Sequence, residues 1–171
     1  NKAVRMERCE TPILTPESYL QSHIDAKFEL ISTIKNGYLR PETTAGTFEV
    51  FNNKFQANAL QKNLPYCMWQ VGLSFRDEAK TDTMRASKLR LRQFYQMEFQ
   101  LFTANGTKAP YIEEALKALT SYYGGEVVEA DELPHYSEYT LDWHIKNLEV
   151  AGCSIRKDWE FGVVHEVAIG L

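Results

Sequence analysis

The chain has 171 residues and a formal net charge of −4, with 44% hydrophobic and 25% charged residues. These proportions are those of an ordinary globular domain, so they exclude disorder and collagen-like repeats, and the acidic balance excludes wrapping of nucleic acid by bulk charge. Three separated cysteines argue against a disulfide framework and a structural zinc site. The sequence has no apolar run of membrane-spanning length and no secretion signal, so we expect one cytoplasmic domain over residues 1–171.

The first third of the chain predicts short strands and two helices. Residues 5–15 predict a strand, and Pro16-Glu17-Ser18 predicts the start of a helix because proline and an acid suit its first turn. Residues 28–33 predict a second strand, followed by turn residues 35–37. Residues 43–60 predict a helix, since phenylalanines recur there at helical spacing.

Residues 66–102 predict two long strands joined by a polar loop at 79–88. In both strands apolar and polar residues alternate, so one face of the hairpin is apolar and the other is polar. A loop of this length and composition is typical of a mobile segment over a ligand. Spacing alone favours an antiparallel hairpin whose apolar face packs on a core while its polar face is solvated.

The composition of the polar face favours a binding site instead. It combines Arg76, Glu78, Arg92 and Glu98 with an aromatic ring, Phe94, at its centre. Such a ring is a natural stacking platform for a planar base, and a guanidinium can bind a carboxylate or phosphate through two donors. Mixed charge also suits a zwitterionic ligand, so the residues predict a ligand site on this face.

The rest of the chain predicts further regular structure. Residues 105–107 predict a turn, and residues 111–123 predict an amphipathic helix that ends at Gly124-Gly125. Residues 141–145 predict a half-buried strand. The histidines of this region are scattered, so they predict no metal cluster.

Several segments carry a family resemblance, and they follow one another in the family's order. They are residues 39–48 (LRPETTAGTF), 64–65 (LP), 70–78 (QVGLSFRDE) and 90–98 (RLRQFYQME). Together they closely resemble glycyl-tRNA synthetase of the eukaryotic and archaeal type, a class II synthetase. Residues 11–17 resemble the end of that family's motif 1.

The resemblance implies an α+β fold, a class II synthetase-like antiparallel β-sheet flanked by helices, with the active site on one sheet face. It implies ATP-dependent activation of glycine to glycyl-adenylate, followed by transfer of glycine to tRNA. The implied ligands are glycine, ATP and tRNA, with Mg²⁺ as the metal. A homodimer that pairs through the motif 1 region is implied as well.

The resemblance also assigns roles around ATP. Arg76 would hold the α-phosphate of ATP and the amino-acid carboxylate. Glu78 would meet the adenine amino group, and Phe94 would stack under the adenine ring. Arg85, in the loop, would contact the outer phosphates or the tRNA end.

Three acids complete the implied site. Glu42 and Glu98 would bind the glycine ammonium group. Glu166 is a candidate for a metal-facing acid, although a plain edge-strand glutamate is the favoured interpretation of this lone residue. The family has Ala-Gln where this chain has Thr44-Ala45, so we expect one polar contact of that loop to be missing.

Two other functions stay open. Residues 1–171 contain neither the family's motif 3 arginine nor its anticodon-binding domain, and we expect a chain that is incomplete at both ends. A stand-alone paralogue could activate an amino acid for a carrier other than tRNA. A non-catalytic accessory subunit could use the fold as a scaffold, as the processivity subunit of mitochondrial DNA polymerase does. The joint presence of Arg76, Glu78, Phe94 and Glu98 favours the ligase.

Overall fold

The computed structural model describes residues 5–8, 14–15, 33–34, 37–57, 63–76, 91–104, 111–146 and 148–170. The elements in chain order are β1 (Arg5–Arg8), β2 (Leu14–Thr15), β3 (Thr33–Ile34), β4 (Gly37–Leu39), α1 (Thr44–Gln56), β5 (Tyr66–Phe75), β6 (Gln93–Ala104), α2 (Tyr111–Tyr123), β7 (Glu126–Glu129), β8 (Ser137–Ile145), β9 (Leu148–Arg156) and β10 (Gly162–Gly170). Seven strands form a large sheet in the order β1-β5-β6-β10-β9-β8-β7, and β2-β4-β3 form a small one.

The large sheet is antiparallel except at one edge, where β1 runs parallel to β5. Helices pack against it, so the predicted α+β fold with an antiparallel sheet flanked by helices is confirmed. Neither of the two described helices is long and apolar enough to cross a membrane.

The two helices cover opposite faces of the large sheet. Helix α1 buries Phe51 and Phe55 against Tyr66 and Phe102, and the rings of Phe51 and Phe102 stack with centroids 3.6 Å apart. Helix α2 packs through Leu116 against buried residues of β8 and β9. We call the side that carries Tyr66 and Phe102 the α1 face, and the other side the α2 face.

Both helices that the sequence predicts within the described residues are confirmed. Helix α1 begins one residue after the predicted start, and the predicted residues 58–60 lie outside the described residues. Helix α2 has the predicted bounds, and Gly124 and Gly125 follow it with φ of 75° and 89°. A Cβ at Gly125 would collide with the carbonyl oxygen of His144, so the close approach of the chain requires glycine there.

Two strand predictions need correction. The single strand predicted over residues 5–15 is two strands, β1 and β2, in different sheets, because an alternating pattern does not show where a chain changes sheet. Strand β6 begins at Gln93, although the pattern predicts an earlier start near Leu89. The predictions for residues 16–32, 79–88 and 105–107 lie outside the described residues.

The β5–β6 hairpin is confirmed, but the expectation of a solvated polar face is wrong. Its polar face is the α1 face, and the polar side chains buried there are Gln70, Ser74, Gln96, Glu98 and Gln100. On the opposite face Tyr95 is 55% exposed. The polar side chains are buried because α1 and the residues before it cover them and form hydrogen bonds with them. For example, Gln70 Nε2 donates to the Thr43 carbonyl at 2.7 Å.

Candidate functional site

A cleft of about 540 Å³ opens on the α1 face. It is lined by Glu42, just before α1, and by residues of β6, β8, β9 and β10. The structure brings together the site residues that the family resemblance implies and that it describes, which are Glu42, Arg76, Phe94, Glu98 and Glu166. Arg92, which the polar-face pattern also placed in the site, is exposed and does not line the cleft. The other two residues that the resemblance implies, Glu78 and Arg85, lie outside the described residues.

The cleft is strongly acidic. Among the described residues that line it, Arg76 is the one with a basic side chain. The acidic residues on its walls are Glu42, Glu98, Glu132, Asp142, Glu149 and Glu166. This charge favours a ligand with a cationic group, and Arg76 can bind an anionic group of the same ligand.

Arg76 and Phe94 form one wall of the cleft. Arg76 directly follows β5, Phe94 is the second residue of β6, and the register that pairs Phe94 with Ser74 places both side chains on the α1 face. The Arg76 guanidinium carbon lies 5.3 Å from the centre of the Phe94 ring, and its Nε donates to the Pro41 carbonyl at 3.1 Å. A guanidinium has four further donors, so Arg76 can still bind an anion.

Glu98 lies at the floor of the cleft and is 1% exposed. Its carboxylate accepts hydrogen bonds from the Thr43 backbone N–H at 3.3 Å and from Thr44 Oγ1 at 3.0 Å. Burial raises the pKa of Glu98 to about 8, and the negative charges of Glu166 and Glu42 add to the shift. Glu98 is therefore an acid that a nearby cation would ionise at neutral pH.

Glu166 lies beside Glu98 and shares its hydrogen-bond donors. Its Oε2 accepts from Gln100 Nε2 at 2.6 Å and lies 3.3 Å from Thr44 Oγ1. Gln100 Nε2 also lies 3.5 Å from Glu98 Oε2. Thr44, which differs from the family residue, thus supplies a polar contact, so the expectation that this loop lacks one is incomplete.

Arg156 is a site residue that the sequence interpretation missed. Its Nη1 donates to Glu166 Oε2 at 2.9 Å, and its Nη2 donates to Asp158 Oδ2 at 2.6 Å. Its side chain is buried against the rings of Phe48 and Tyr136, whose centres lie 5.1 and 3.8 Å from the guanidinium carbon. The sequence signal was the run of Gly152, Ser154 and Arg156 at every second position of β9, which marks a polar strand face.

Mg²⁺, which the family resemblance implies, finds no ligand set in the described part of the chain. No group of three or more His, Cys, Asp or Glu residues there could hold a metal ion. Glu166 alone does not fit as a metal ligand, because its Oε2 already accepts from Arg156 and Gln100, and Mg²⁺ demands a near-ideal octahedral set of oxygen ligands. The edge-strand interpretation of Glu166 is also wrong, since β10 lies between β6 and β9.

A second acidic pair lies at the β8–β9 end of the cleft. Asp142 and Glu149 flank Gly152, and a Cβ at that glycine would lie 3.5 Å from Asp142 Oδ1 and 3.9 Å from Glu149 Oε1. Burial raises the pKa of Asp142, and the charge of Glu149 adds to the shift. The sequence placed Asp142 in a half-buried strand but did not indicate that it would meet another acid.

A cavity of about 590 Å³ lies on the α2 face, between α2 and the sheet. Its walls are mainly apolar, with Phe99, Leu101, Leu119, Val167 and Ile169 among them. A cavity of that chemistry does not suit a charged ligand, because few polar groups are present to replace the water that the ligand would lose. The cleft on the α1 face is therefore the candidate site for a nucleotide or an amino acid.

Comparison with known proteins identifies the class. Residues 27–169 match the family described as "tRNA synthetase class II core domain (G, H, P, S and T)". Because this match covers most of the chain, the chain belongs to the class II tRNA synthetase core-domain family.

Within this family, the relatives that match the sequence include glycine–tRNA ligases. The enzyme of Deinococcus radiodurans is 30% identical over 141 residues, which cover 74% of this chain and 27% of that protein. The enzyme of Archaeoglobus fulgidus is 36% identical over 110 residues, which cover 63% of this chain and 17% of that protein. The chain thus spans 17–27% of the length of these two relatives.

Solved structures agree on the fold. The prolyl-tRNA synthetase of Giardia lamblia, in complex with prolyl-adenylate, has a TM-score of 0.70 and 18% identity, covering 96% of this chain and 40% of that one. A pyrrolysyl-tRNA synthetase of Desulfitobacterium hafniense has a TM-score of 0.69 and 16% identity, covering 95% of this chain and 57% of that one. At these identities the likeness concerns the fold alone.

Proposed function

We propose that the chain is the core of a synthetase that activates glycine with ATP to glycyl-adenylate and transfers the glycyl group to tRNA. The observation that carries this proposal is the pair of buried carboxylates, Glu98 and Glu166, in an acidic cleft that also holds Arg76 and Phe94. The glycine–tRNA ligases among its relatives support the choice of amino acid.

ATP would occupy the wall formed by Arg76 and Phe94. An aromatic ring has two faces, and Arg76 lies over one face of Phe94, so adenine would stack on the other. The guanidinium would then lie next to the nucleotide and could bind its α-phosphate. Glu78 and Arg85, which the family resemblance assigns to adenine and to the outer phosphates, would complete this end of the site.

Glycine would bind with its ammonium group against the floor of the cleft. An ammonium group has three donors, and the carboxylates of Glu42, Glu98 and Glu166 offer acceptors for them. The arriving positive charge would ionise Glu98, whose pKa of about 8 is raised by burial and by the neighbouring acids. A floor crowded with carboxylates leaves little room beyond the α-carbon, which favours glycine over larger amino acids.

The reaction needs no nucleophilic side chain. A glycine carboxylate oxygen attacks the α-phosphorus, a new P–O bond forms, and the bond to the β-phosphate oxygen breaks with release of pyrophosphate. A hydroxyl of the terminal tRNA ribose then attacks the glycyl carbonyl carbon and AMP leaves. Arg76 would stabilise the negative charge on the α-phosphate, and the cleft would hold the two reactants in line.

Amino-acid-dependent pyrophosphate exchange in the full-length natural protein tests this function. We expect exchange with glycine and much less with alanine, because an added methyl group must overpack the pocket at a cost of about 1–3 kcal/mol. Charging of tRNA with glycine separates a tRNA ligase from a paralogue that serves another carrier. Absence of exchange with all twenty amino acids would favour the scaffold function and reject the proposal.

We further propose a cytoplasmic homodimer that pairs through the motif 1 region, residues 11–17. The nearby strand β1 is an edge strand of the large sheet, and edge strands carry backbone groups that can pair with a second chain. Sedimentation at micromolar concentration should show a dimer. A monomer with full exchange activity would contradict this assembly.

A further inference from the structure

Arg156 belongs to the buried layer beneath the cleft. It does not line the cleft, and Glu166, which does, accepts its hydrogen bond. We infer that Arg156 is a positioning residue for the amino-acid substrate, which acts through Glu166 to hold the two floor carboxylates ready for an ammonium group. This inference rests on the proposed function and adds to it a residue that sets the affinity for the amino acid.

The guanidinium of Arg156 is fixed on every side. Its Nε and Nη2 donate to the two carboxylate oxygens of Asp158 at 3.1 and 2.6 Å, which leaves Nη1 aimed at Glu166. The rings of Phe48 and Tyr136 also lie against it, with their centres 5.1 and 3.8 Å from the guanidinium carbon. A planar fork held in this way keeps its partner carboxylate in one orientation, which a flexible lysine would not do.

The influence of Arg156 extends to Glu98 through shared donors. Thr44 Oγ1 lies 3.0 Å from Glu98 Oε2 and 3.3 Å from Glu166 Oε2, and Gln100 Nε2 lies within 3.5 Å of both oxygens. If Glu166 turned away, Thr44 Oγ1 and Gln100 Nε2 would each lose one of the two carboxylate oxygens that they now lie near. The orientation of Glu98 therefore depends on that of Glu166, and hence on Arg156.

Charge gives Arg156 a second role. Two carboxylates that share donors in a buried site repel each other strongly, because the interior screens their charges poorly. Arg156 is the cation that neutralises this repulsion directly, since it forms an ion pair with Glu166. Asp158, whose side chain is 35% exposed, opposes this effect only weakly because water screens its charge. Without the guanidinium, we expect the uncompensated charge of Glu166 to raise the pKa of Glu98 further, so that an ammonium group ionises it less readily and binds more weakly.

The test uses pyrophosphate exchange in the full-length natural protein with separate KM values for glycine and ATP. In Arg156→Ala we expect the glycine KM to rise by about tenfold or more, which corresponds to about 1.4 kcal/mol, while the ATP KM changes less than about twofold. In Arg156→Lys the glycine KM should lie between the values of the wild type and Arg156→Ala, because lysine keeps the positive charge but lacks the planar donor fork of the guanidinium. The matched control is Lys157→Ala, which removes the exposed cation next in the chain and should leave both constants unchanged.

Chemical rescue separates positioning from mere loss of structure. Arg156→Ala removes a guanidinium that is buried against two aromatic rings, so added guanidinium at low millimolar concentration should lower the glycine KM, whereas equal urea or sodium chloride should not. If the Ala variant does not fold, Asp158→Asn carries the test, because it removes the charged partner that aims Arg156 and should raise the glycine KM alone.

The outcomes distinguish this inference from the proposed function. A wild-type protein without exchange would reject the proposed function itself. An active wild type with an unchanged glycine KM in both Arg156→Ala and Asp158→Asn would overturn the role of Arg156 and leave the proposed function standing. Equal rises in both KM values without rescue would show a structural role only and would likewise overturn it.

Discussion

Glu98 combines full burial with a place at the floor of an acidic cleft. A buried carboxyl normally resists ionisation, and the pKa of Glu98 rises to about 8 because of burial, Glu166 and Glu42, in that order. Hydrogen bonds from Thr43 and Thr44 oppose the shift without cancelling it. The site therefore holds a carboxyl whose charge state depends on what is bound beside it.

The pKa of Glu98 makes stability depend on pH in a definite direction. Between the pKa of about 4.5 in the unfolded chain and about 8 in the folded one, the native state binds a proton that the unfolded state has released. Stability must then fall as pH rises through this window, by up to about 1.4 kcal/mol per pH unit. Glu98→Gln should remove this slope, which urea unfolding at several pH values measures. The same slope in Glu98→Gln would contradict the assignment, and exposed Glu160→Gln is the control.

The side chain of Arg76 supports a prediction about ATP binding. Arg76→Ala should weaken ATP binding by about 1.5–3 kcal/mol, because it removes a charged hydrogen-bond donor from the phosphate. Titration calorimetry with ATP and Mg²⁺ measures the change, and Arg92→Ala is the matched control because Arg92 is exposed beside the site without lining it. Equal ATP affinity in wild type and Arg76→Ala would remove Arg76 from the nucleotide site.

Helix α1 and the β5–β6 hairpin together position the residues of the site. Phe51 is fully buried and stacks on Phe102, so α1 is held against β6 at its apolar end. The first residue of α1 and the residue before it then lie over the polar end of the same strands, where Thr44 and Thr43 donate to Glu98. One helix thus covers a core at one end of the sheet face and closes the floor of the cleft at the other.

Removal of the Phe51 ring should therefore be costly to the whole domain. Phe51→Ala should lower the free energy of unfolding by about 3–5 kcal/mol, because it leaves a cavity between α1 and the sheet. Tyr122→Ala, at a site that is 80% exposed, should change it by about 0.5 kcal/mol or less. Chemical denaturation of both variants provides the comparison. If Phe51→Ala lowered the free energy of unfolding as little as Tyr122→Ala does, α1 would not be anchored through Phe51.

The same elements show what a sequence can and cannot predict. The strands of the hairpin and the helix at 44–56 follow from alternation and helical spacing, which are local signals. Which hairpin face would be buried could not be read from polarity, since Gln70 and Gln100 are buried by a helix distant in sequence. Arg76, Phe94 and Glu98 were predicted from the charged and aromatic composition of one hairpin face, whereas Glu42 was predicted from the family resemblance alone.

At the scale of the whole molecule, the cleft joins two parts of the chain that a local pattern cannot connect. Arg76 and Phe94 come from the hairpin, whereas Glu166 and Arg156 come from the last two strands. Their contacts span long sequence separations, as between Thr44 and Glu166, which are 122 residues apart. For this reason Arg156, whose one sequence signal was a polar strand face, was missed, and Glu166 was wrongly placed at an edge. The class II core fold brings both halves to one face of the sheet.

The most direct test of the central claim is binding of a stable adenylate analogue, in which a sulfamoyl group replaces the phosphate, to the full-length natural protein. The glycyl analogue should bind at least about tenfold more tightly than the alanyl analogue, a difference of about 1.4 kcal/mol. Glu98→Gln should remove most of the advantage that the glycyl group gives over the sulfamoyl nucleotide alone. Equal affinity for the glycyl and alanyl analogues, or a Glu98→Gln variant that binds the glycyl analogue as the wild type does, would contradict a glycine site on this floor.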